Sequence, residues 1–223
     1  MSPTNKTIPE ILKERAINQP YKLAFLFLEK GEVPSDRFTY STLYQRAMDY
    51  AISLNSISAK GERAVLLFPQ GLEFVAAFFG CLLARIIPAP APLSFNIGHF
   101  DRIASIVEES GAKTIVTTQA VKNKLQPLAI DNPIFKNLKW LAAEELPANA
   151  QSNEQELQLP QPADIAFLQF TSGSTSVPKG VVVTHRNIMY NCQMTMDIAD
   201  HGEHPAVVSW LPTFHDMGLI SCV

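Results

Sequence analysis

Helical and strand-like patterns of apolar residues alternate along this chain. After residue 41, apolar residues recur at steps of three and four positions, at Leu43, Ala47, Tyr50, Ala51 and Leu54. This spacing predicts a helix with one buried face. Similar patterns predict helices over residues 8–18, 72–85 and 99–109, and strands over residues 23–29, 38–40, 64–68, 114–118 and 165–170. Strands alternating with helices indicate an α/β fold with a largely parallel sheet flanked by helices.

Local signals mark the ends of three of these helices. Thr7 and Glu10 have the spacing of a capping box, and Pro9 suits the first turn that follows. We expect Ser41 to cap the second helix. Gly111 should close the helix over residues 99–109.

Changes in composition divide the chain into three segments. Residues 1–145 carry the alternating pattern and are expected to form a first α/β subdomain, while residues 146–163 turn to Pro, Asn, Gln and Glu and are expected to form an exposed connection. Residues 164–223 form the third segment and are expected to belong to an incomplete domain. Its last residues, 217–223, are an apolar run without a cap or turn residue. Because natural termini are usually polar and exposed, we hypothesise that the chain is the front portion of a longer protein.

Charge and cysteine usage exclude several classes of function. The 18 Lys and Arg residues nearly balance the 21 Asp and Glu residues and are scattered, so nucleic-acid binding is not expected. The longest apolar run, residues 74–84, is far shorter than the roughly 20 residues of a membrane span. The first 20 residues lack the apolar core of a secretory signal, and the three cysteines form no CxxC motif. A reduced, cytoplasmic protein is therefore expected.

Residues 170–180 concentrate groups that bind phosphate. They contain five hydroxyl side chains, two glycines and Lys179 directly after an apolar strand. Such a loop lies at the carboxyl edge of a parallel sheet, where backbone N–H groups, hydroxyls and a lysine can hold a polyphosphate. It is not a Walker A loop, because Gly180 and three valines follow Lys179. We expect the loop to return into another strand, although the composition alone would also suit a surface turn.

The order of residues in this loop resembles the phosphate-loop signature of the adenylate-forming superfamily. A second segment, residues 209–220, has the form Leu-Pro-x-x-His-Asp-Met-Gly-Leu, and resembles the fatty acyl-AMP ligase branch of that superfamily. Residues 61–68, 71–74 and 78–81 are similar to the same branch. Two positions depart from the family pattern, because Ser176 and Arg85 stand where glycine is common.

The resemblance implies a fold, a reaction and a set of site residues. The fold would be part of the large N-terminal domain of an adenylate-forming enzyme. A fatty acid and ATP, with Mg²⁺, would give acyl-AMP and pyrophosphate, and the acyl group would pass to the phosphopantetheine thiol of an acyl carrier protein. The phosphate-binding residues would be Thr171, Ser172, Gly173, Ser174, Thr175, Lys179 and Gly180. Lys179 and His215 would be catalytic, with His215 between the acyl carboxylate and the α-phosphate. Asp216 could orient His215 or cap the following helix, and we expect the cap because it is the commoner use of such a residue.

Several alternatives remain open at this point. An acyl-CoA synthetase and a loading adenylation domain would carry similar motifs, and a non-catalytic nucleotide- or partner-binding module is possible because the family's later motifs would lie beyond Val223. For that reason we expect the 223-residue chain not to turn over by itself. His201 and His204 could suggest a metal site, but two histidines in a polar loop are typical of a solvated turn, so no metal site is predicted.

Overall fold

The computed structural model describes residues 5–93, 97–130, 132–147, 157–171, 178–198 and 206–222. The helices are α1 (Ile8–Asn18), α2 (Tyr40–Ile57), α3 (Leu72–Ala84), α4 (Ile97–Ser110), α5 (Gln119–Ala129), α6 (His185–Ile198) and α7 (Asp216–Cys222). The strands are β1 (Leu23–Glu29), β2 (Val33–Thr39), β3 (Arg63–Leu67), β4 (Ile87–Pro90), β5 (Thr114–Thr117), β6 (Lys139–Ala142), β7 (Ile165–Thr171) and β8 (Lys179–Thr184).

A four-stranded parallel sheet forms the centre of the fold, in the order β4-β3-β5-β6. The prediction of a largely parallel sheet flanked by helices is confirmed, and two antiparallel pairs, β1-β2 and β7-β8, are added to it. The pattern did not predict β4, which contains Pro88 and Pro90. Proline lacks the N–H that a ladder needs, and β4 tolerates two because it lies at the edge of this sheet.

Alternating residues of β3 face two hydrophobic clusters. Ala64 and Leu66 belong to the cluster built with α2 and α3, whereas Val65 and Leu67 belong to the cluster built with α4 and α5. All four are fully buried. Because successive side chains of a strand point to opposite faces, this alternation shows that helices cover both faces of the parallel sheet.

The capping-box spacing correctly placed the start of α1. The carboxylate of Glu10 accepts hydrogen bonds from the backbone N–H of Thr7 at 2.5 Å and from its hydroxyl at 2.9 Å.

The predicted cap of α2 was wrong by two residues. Thr39, not Ser41, is the cap, and its hydroxyl accepts from the N–H of Thr42 at 3.2 Å. Tyr40 accordingly lies in the helix, and the N–H of Ser41 donates to the carbonyl of Pro20.

A tight turn joins β1 to β2, so β2 begins at Val33 rather than at the predicted residue 38. Lys30 and Gly31 have φ values of 54° and 79°. Two consecutive positive φ values are typical of hairpin turns whose twist matches that of the flanking strands.

Helices α2 and α3 cross at a glycine. A Cβ atom on Gly80 would overlap the Cβ of Tyr50 and lie 2.9 Å from the carbonyl oxygen of Ala47. The Tyr50 hydroxyl donates to the carboxylate of Glu73 at 2.7 Å, and Arg46 binds the same carboxylate through two nitrogens at 3.1 and 3.2 Å. The close contact and these hydrogen bonds hold the two helices together on one face of the sheet.

Arg85 ends α3 in a left-handed conformation, with φ of 58° and ψ of 30°. This conformation favours glycine, which gives a physical reason for the glycine common in the family at this position. The guanidinium of Arg85 binds the carboxylate of Asp164 at 2.6 Å. The side chain therefore links the end of α3 to the residue before β7.

The segment 146–163 packs at both of its ends. Leu146 and Pro160 are buried, and Leu157 and Leu159 pack against the first hydrophobic cluster. That cluster also includes Phe167 and Leu219, so it joins the first and third predicted segments. Residues 148–156 lie outside the described part of the chain, and the division into subdomains stays a prediction.

Two further predictions concern the cysteines and the membrane. Cys81 is a buried free thiol, and Cys192 is a half-buried one. Burial raises the pKa of the Cys81 thiol well above its usual range.

No helix in the described ranges is long and apolar enough to cross a membrane.

Candidate active site

A β-hairpin carries the predicted phosphate-binding loop. β7 and β8 pair antiparallel, with Thr171 opposite Lys179 and Phe170 opposite Gly180. The expectation that the loop returns into a strand is confirmed, since the run of three valines after Gly180 forms β8. The hairpin lies beside β4 and not within the parallel sheet.

The described residues of the loop lie at its base. Thr171, Lys179 and Gly180 are exposed, and Pro178 is buried. A Cβ atom on Gly180 would lie 3.1 Å from the ring of Phe170, which is tighter than an ordinary contact. The predicted binding residues Ser172, Gly173, Ser174 and Thr175 lie outside the described residues, as does the departure at Ser176.

The second motif places His215 on a turn before α7. The backbone N–H of His215 donates to the carbonyl of Pro212 at 3.1 Å, and its carbonyl accepts from the N–H of Leu219 at 2.8 Å. Gly218 allows this turn, because a Cβ atom there would overlap the carbonyl oxygen of Pro212. The backbone around His215 is thus held on both sides.

Asp216 engages both its neighbours through one oxygen. Its Oδ1 lies 2.5 Å from Nδ1 of His215 and accepts from the N–H of Met217 at 2.8 Å. The expected capping role is wrong, because Asp216 is the first residue of α7 and not the residue before it, and its carboxylate bonds the next N–H along the chain. The contact with Asp216 involves Nδ1 of His215 and not Nε2.

Gln169 connects the two motifs. Its side chain is 8% exposed, and its amide nitrogen donates to the carbonyl of Phe214 at 3.3 Å. Phe214 precedes His215, so this bond ties β7 to the turn that carries the histidine. A glutamine in an otherwise apolar strand was visible in the sequence, but its role was not predicted.

A cleft of about 130 Å³ lies where these parts meet. It opens at the carboxyl end of β7 and just after the end of β4, and one face of α4 closes it. Its polar and aromatic lining consists of Arg102, Gln169, Phe170, Thr171, Phe214, His215 and Asp216. Thr171 and His215, predicted from separate motifs, therefore line one cleft, whereas Lys179 is not among its lining residues.

A larger cavity, of about 290 Å³, lies elsewhere and contains none of the predicted site residues. Lys60, Arg85, Asp164 and His185 contribute its polar lining. His185 is 1% exposed, and burial lowers its pKa to about 4. This environment keeps the His185 imidazole neutral. We regard the smaller cleft, and not this cavity, as the candidate active site because residues of both motifs line it.

Metal-binding side chains do not cluster in the ranges that the structure describes. No group of three or more His, Cys, Asp or Glu residues is placed to hold an ion there. His201 and His204 lie outside those ranges, so their predicted role as part of a solvated turn stays a prediction.

Curated relatives match nearly the whole chain but only part of their own length. The medium-chain-fatty-acid–[acyl-carrier-protein] ligase JamA of Moorena producens is 33% identical over 222 residues, which are 98% of this chain and 37% of JamA. The long-chain-fatty-acid–AMP ligase FadD26 of Mycobacterium tuberculosis is 34% identical over 235 residues, covering 99% of this chain and 39% of FadD26. The chain thus spans less than two fifths of the length of these relatives.

A solved structure shares the same architecture. The fatty acyl-adenylate ligase of Legionella pneumophila, crystallised with acyl adenylate and pyrophosphate, is 32% identical with a TM-score of 0.84. The match covers 97% of this chain and 37% of that one. The family described as AMP-binding enzyme matches residues 12–223, and the chain therefore belongs to this family of adenylate-forming enzymes.

Proposed function

We propose that the complete protein is a fatty acyl-AMP ligase and that this chain supplies its phosphate loop and part of its acid-binding cleft. The observation that carries the proposal is that Thr171 and His215, from two separate motifs, line one cleft. Relatives named as fatty acid ligases, at about one third identity over nearly the whole chain, support the same substrate class.

The proposed reaction joins two anions. An oxygen of the fatty carboxylate attacks the α-phosphorus of ATP, and the bond from that phosphorus to the oxygen bridging to the β-phosphate breaks. Acyl-AMP forms, and pyrophosphate leaves with the bonding electrons. Because both reactants are negative, catalysis depends on holding them in line and neutralising the charge that develops on pyrophosphate.

Lys179 and the hydroxyl-rich loop would hold the β- and γ-phosphates. Thr171 and Lys179 lie opposite each other at the base of the loop. A neutral hydroxyl and a positive ammonium group therefore flank it. Ser172, Gly173, Ser174, Thr175 and Gly180 are assigned to this role by the family pattern. Mg²⁺, which usually binds through water, one or two carboxylates and the phosphates of the substrate, would neutralise phosphate charge when bound.

His215 would contact the reacting carboxylate or the α-phosphate. Its Nδ1 lies 2.5 Å from Oδ1 of Asp216, and this contact would leave Nε2 available for a hydrogen bond to a substrate oxygen. The exposure of His215 in this chain is compatible with direct contact with a ligand.

The acceptor of the acyl group is the finer part of the proposal. We assign it to the phosphopantetheine thiol of an acyl carrier protein, because the motif Leu-Pro-x-x-His-Asp-Met-Gly-Leu resembles the AMP ligase branch and JamA is named as a carrier-protein ligase. Transfer to CoA is the alternative. The cytoplasmic location stays a prediction from cysteine usage.

The test supplies both acceptors side by side. The complete protein is incubated with ATP, Mg²⁺ and fatty acids of several chain lengths, together with either CoA or a phosphopantetheinylated carrier protein. Acylated carrier protein as the main product supports the assignment. Efficient formation of acyl-CoA rejects the carrier protein as acceptor, and the absence of acyl-AMP with every fatty acid rejects the adenylation itself.

A further inference from the structure

Arg102 contributes a cationic side chain to the lining of the candidate active site. It is on α4, one turn before Ile106, and both side chains line the cleft. The Nε of Arg102 is buried, and no described residue accepts a hydrogen bond from it; none of the ion pairs formed by those residues includes this guanidinium.

Gln169 presents a second unmatched group to the same cleft. Its nitrogen is held by the carbonyl of Phe214, which fixes the orientation of the amide, and no described residue donates to its buried Oε1. A buried donor and a buried acceptor that are both unpaired are costly, and such groups are usually satisfied by a ligand or by water. The side chain of Gln169 is 8% exposed, so it belongs to the interior of the protein and not to a solvated surface.

The charges of the cleft indicate which ligand fits. Within the lining that the structure describes, Arg102 is the permanently positive side chain and Asp216 the negative one. Oδ1 of Asp216 is already engaged by His215 and by the N–H of Met217. A guanidinium with an unpaired, buried Nε in a partly desolvated cleft favours an oxyanion, for which its planar donor geometry is suited.

We propose that Arg102 is a substrate-binding residue that holds an oxyanion of the reacting pair, with Gln169 beside it as an acceptor for a ligand hydroxyl or N–H. The inference rests on the proposed function, in which a carboxylate and the phosphates of ATP meet at this cleft. Both are oxyanions, and the two sources are distinguished by experiment. Arg102 lessens the repulsion that Asp216 would otherwise exert on either anion.

The experiment measures binding of each substrate separately, so that it does not depend on turnover. The complete protein and its Arg102→Gln, Arg102→Lys and Arg102→Ala variants are titrated by calorimetry with a fatty acid and, independently, with a nonhydrolysable ATP analogue and Mg²⁺. Arg37→Gln, at an exposed arginine of β2, is the matched control. Melting temperatures of all variants report whether the fold is retained.

We expect Arg102→Gln to raise the Kd for one of the two ligands by about tenfold or more, with Arg102→Lys intermediate and Arg37→Gln unchanged. A loss confined to the fatty acid identifies the carboxylate as the bound group, and a loss confined to the ATP analogue identifies a phosphate. Added guanidinium ion should restore binding to Arg102→Ala, which a packing role would not produce.

Unchanged Kd values for both ligands in Arg102→Gln would overturn the proposal, as would equal losses for both accompanied by a lower melting temperature. Failure of the proposed function has a different signature. In that case the wild-type protein binds neither ligand or forms no acyl-AMP, whatever residue stands at position 102.

Discussion

Thr171 and Lys179 lie directly opposite each other at the ends of β7 and β8. The pairing closes the base of the hydroxyl-rich loop, so the loop must begin and end within one strand spacing, about 5 Å. A closed base restricts where the backbone N–H groups and the lysine can meet a phosphate. This constraint follows from the strand pairing itself.

Replacement of Lys179 tests the role of the loop. We expect Lys179→Ala in the complete protein to slow adenylation by about tenfold or more, because a charged hydrogen-bonding partner of the phosphates is lost. Fatty-acid-dependent exchange of pyrophosphate into ATP is the measurement. Lys136→Ala, at an exposed lysine away from the cleft, should leave the rate unchanged. An unaltered exchange rate in Lys179→Ala would remove this residue from the reaction.

His215 and Asp216 should act as a unit. We expect His215→Ala to lower the rate of acyl-AMP formation strongly and Asp216→Ala to lower it less, since Asp216 works by orienting the His215 ring across their 2.5 Å contact. In the double variant, the loss of Asp216 should add little to the loss of His215. Multiplicative losses would show that the two residues act independently, and wild-type turnover by His215→Ala would exclude the histidine.

Arg85 offers a test of backbone strain in α3. Arg85→Ala and Arg85→Gly both lose the ion pair with Asp164, but only glycine relieves the left-handed conformation at φ of 58°. We expect Arg85→Gly to be more stable than Arg85→Ala by about 1 kcal/mol. Denaturant unfolding of the complete protein, followed at matched protein concentration, measures this difference. Equal stability of the two variants would mean that position 85 relaxes when its side chain is removed.

His185 should make stability depend on pH. Its pKa is about 4 in the folded protein and 6.5 ordinarily, so the unfolded chain takes up the proton first as the pH falls. The free energy of unfolding should therefore drop between pH 6.5 and about 4, by up to about 3 kcal/mol from this residue, and no further below.

The matched variant is His185→Asn, which removes the titrating group. Its melting temperature should fall less steeply than that of the wild type between pH 6.5 and 5, a range in which most carboxylates remain charged. Parallel curves for the two proteins would show that His185 is not kept neutral by burial.

Locally encoded elements were predicted best. The capping box of α1 needs only Thr7 and Glu10, so its start could be read from four residues. β8 could be anticipated because three valines follow Gly180. By contrast, α5 was missed because it contains Pro127 and many polar residues, and its burial depends on packing against the parallel sheet.

The candidate site could be predicted only in part, for a related reason. Motif residues such as Thr171 and His215 stand in recognisable order, and the structure brings these two to one cleft. Arg102 belongs to no motif, and it shares a cleft with Gln169 only because the folded chain brings α4 and β7 to the same site. The cap of α2 was also mispredicted. The backbone N–H of Ser41 bonds the carbonyl of Pro20, a contact between distant positions that the sequence around Ser41 does not reveal.

Detection of the acyl adenylate tests the central claim most directly. The complete protein is incubated with ATP, Mg²⁺ and a fatty acid without any thiol acceptor, and the products are identified by mass spectrometry. The account predicts acyl-AMP and pyrophosphate in equal amounts, formed only when fatty acid is present and greatly reduced in Lys179→Ala. Consumption of ATP without acyl-AMP, or no consumption with fatty acids of any length, would contradict it.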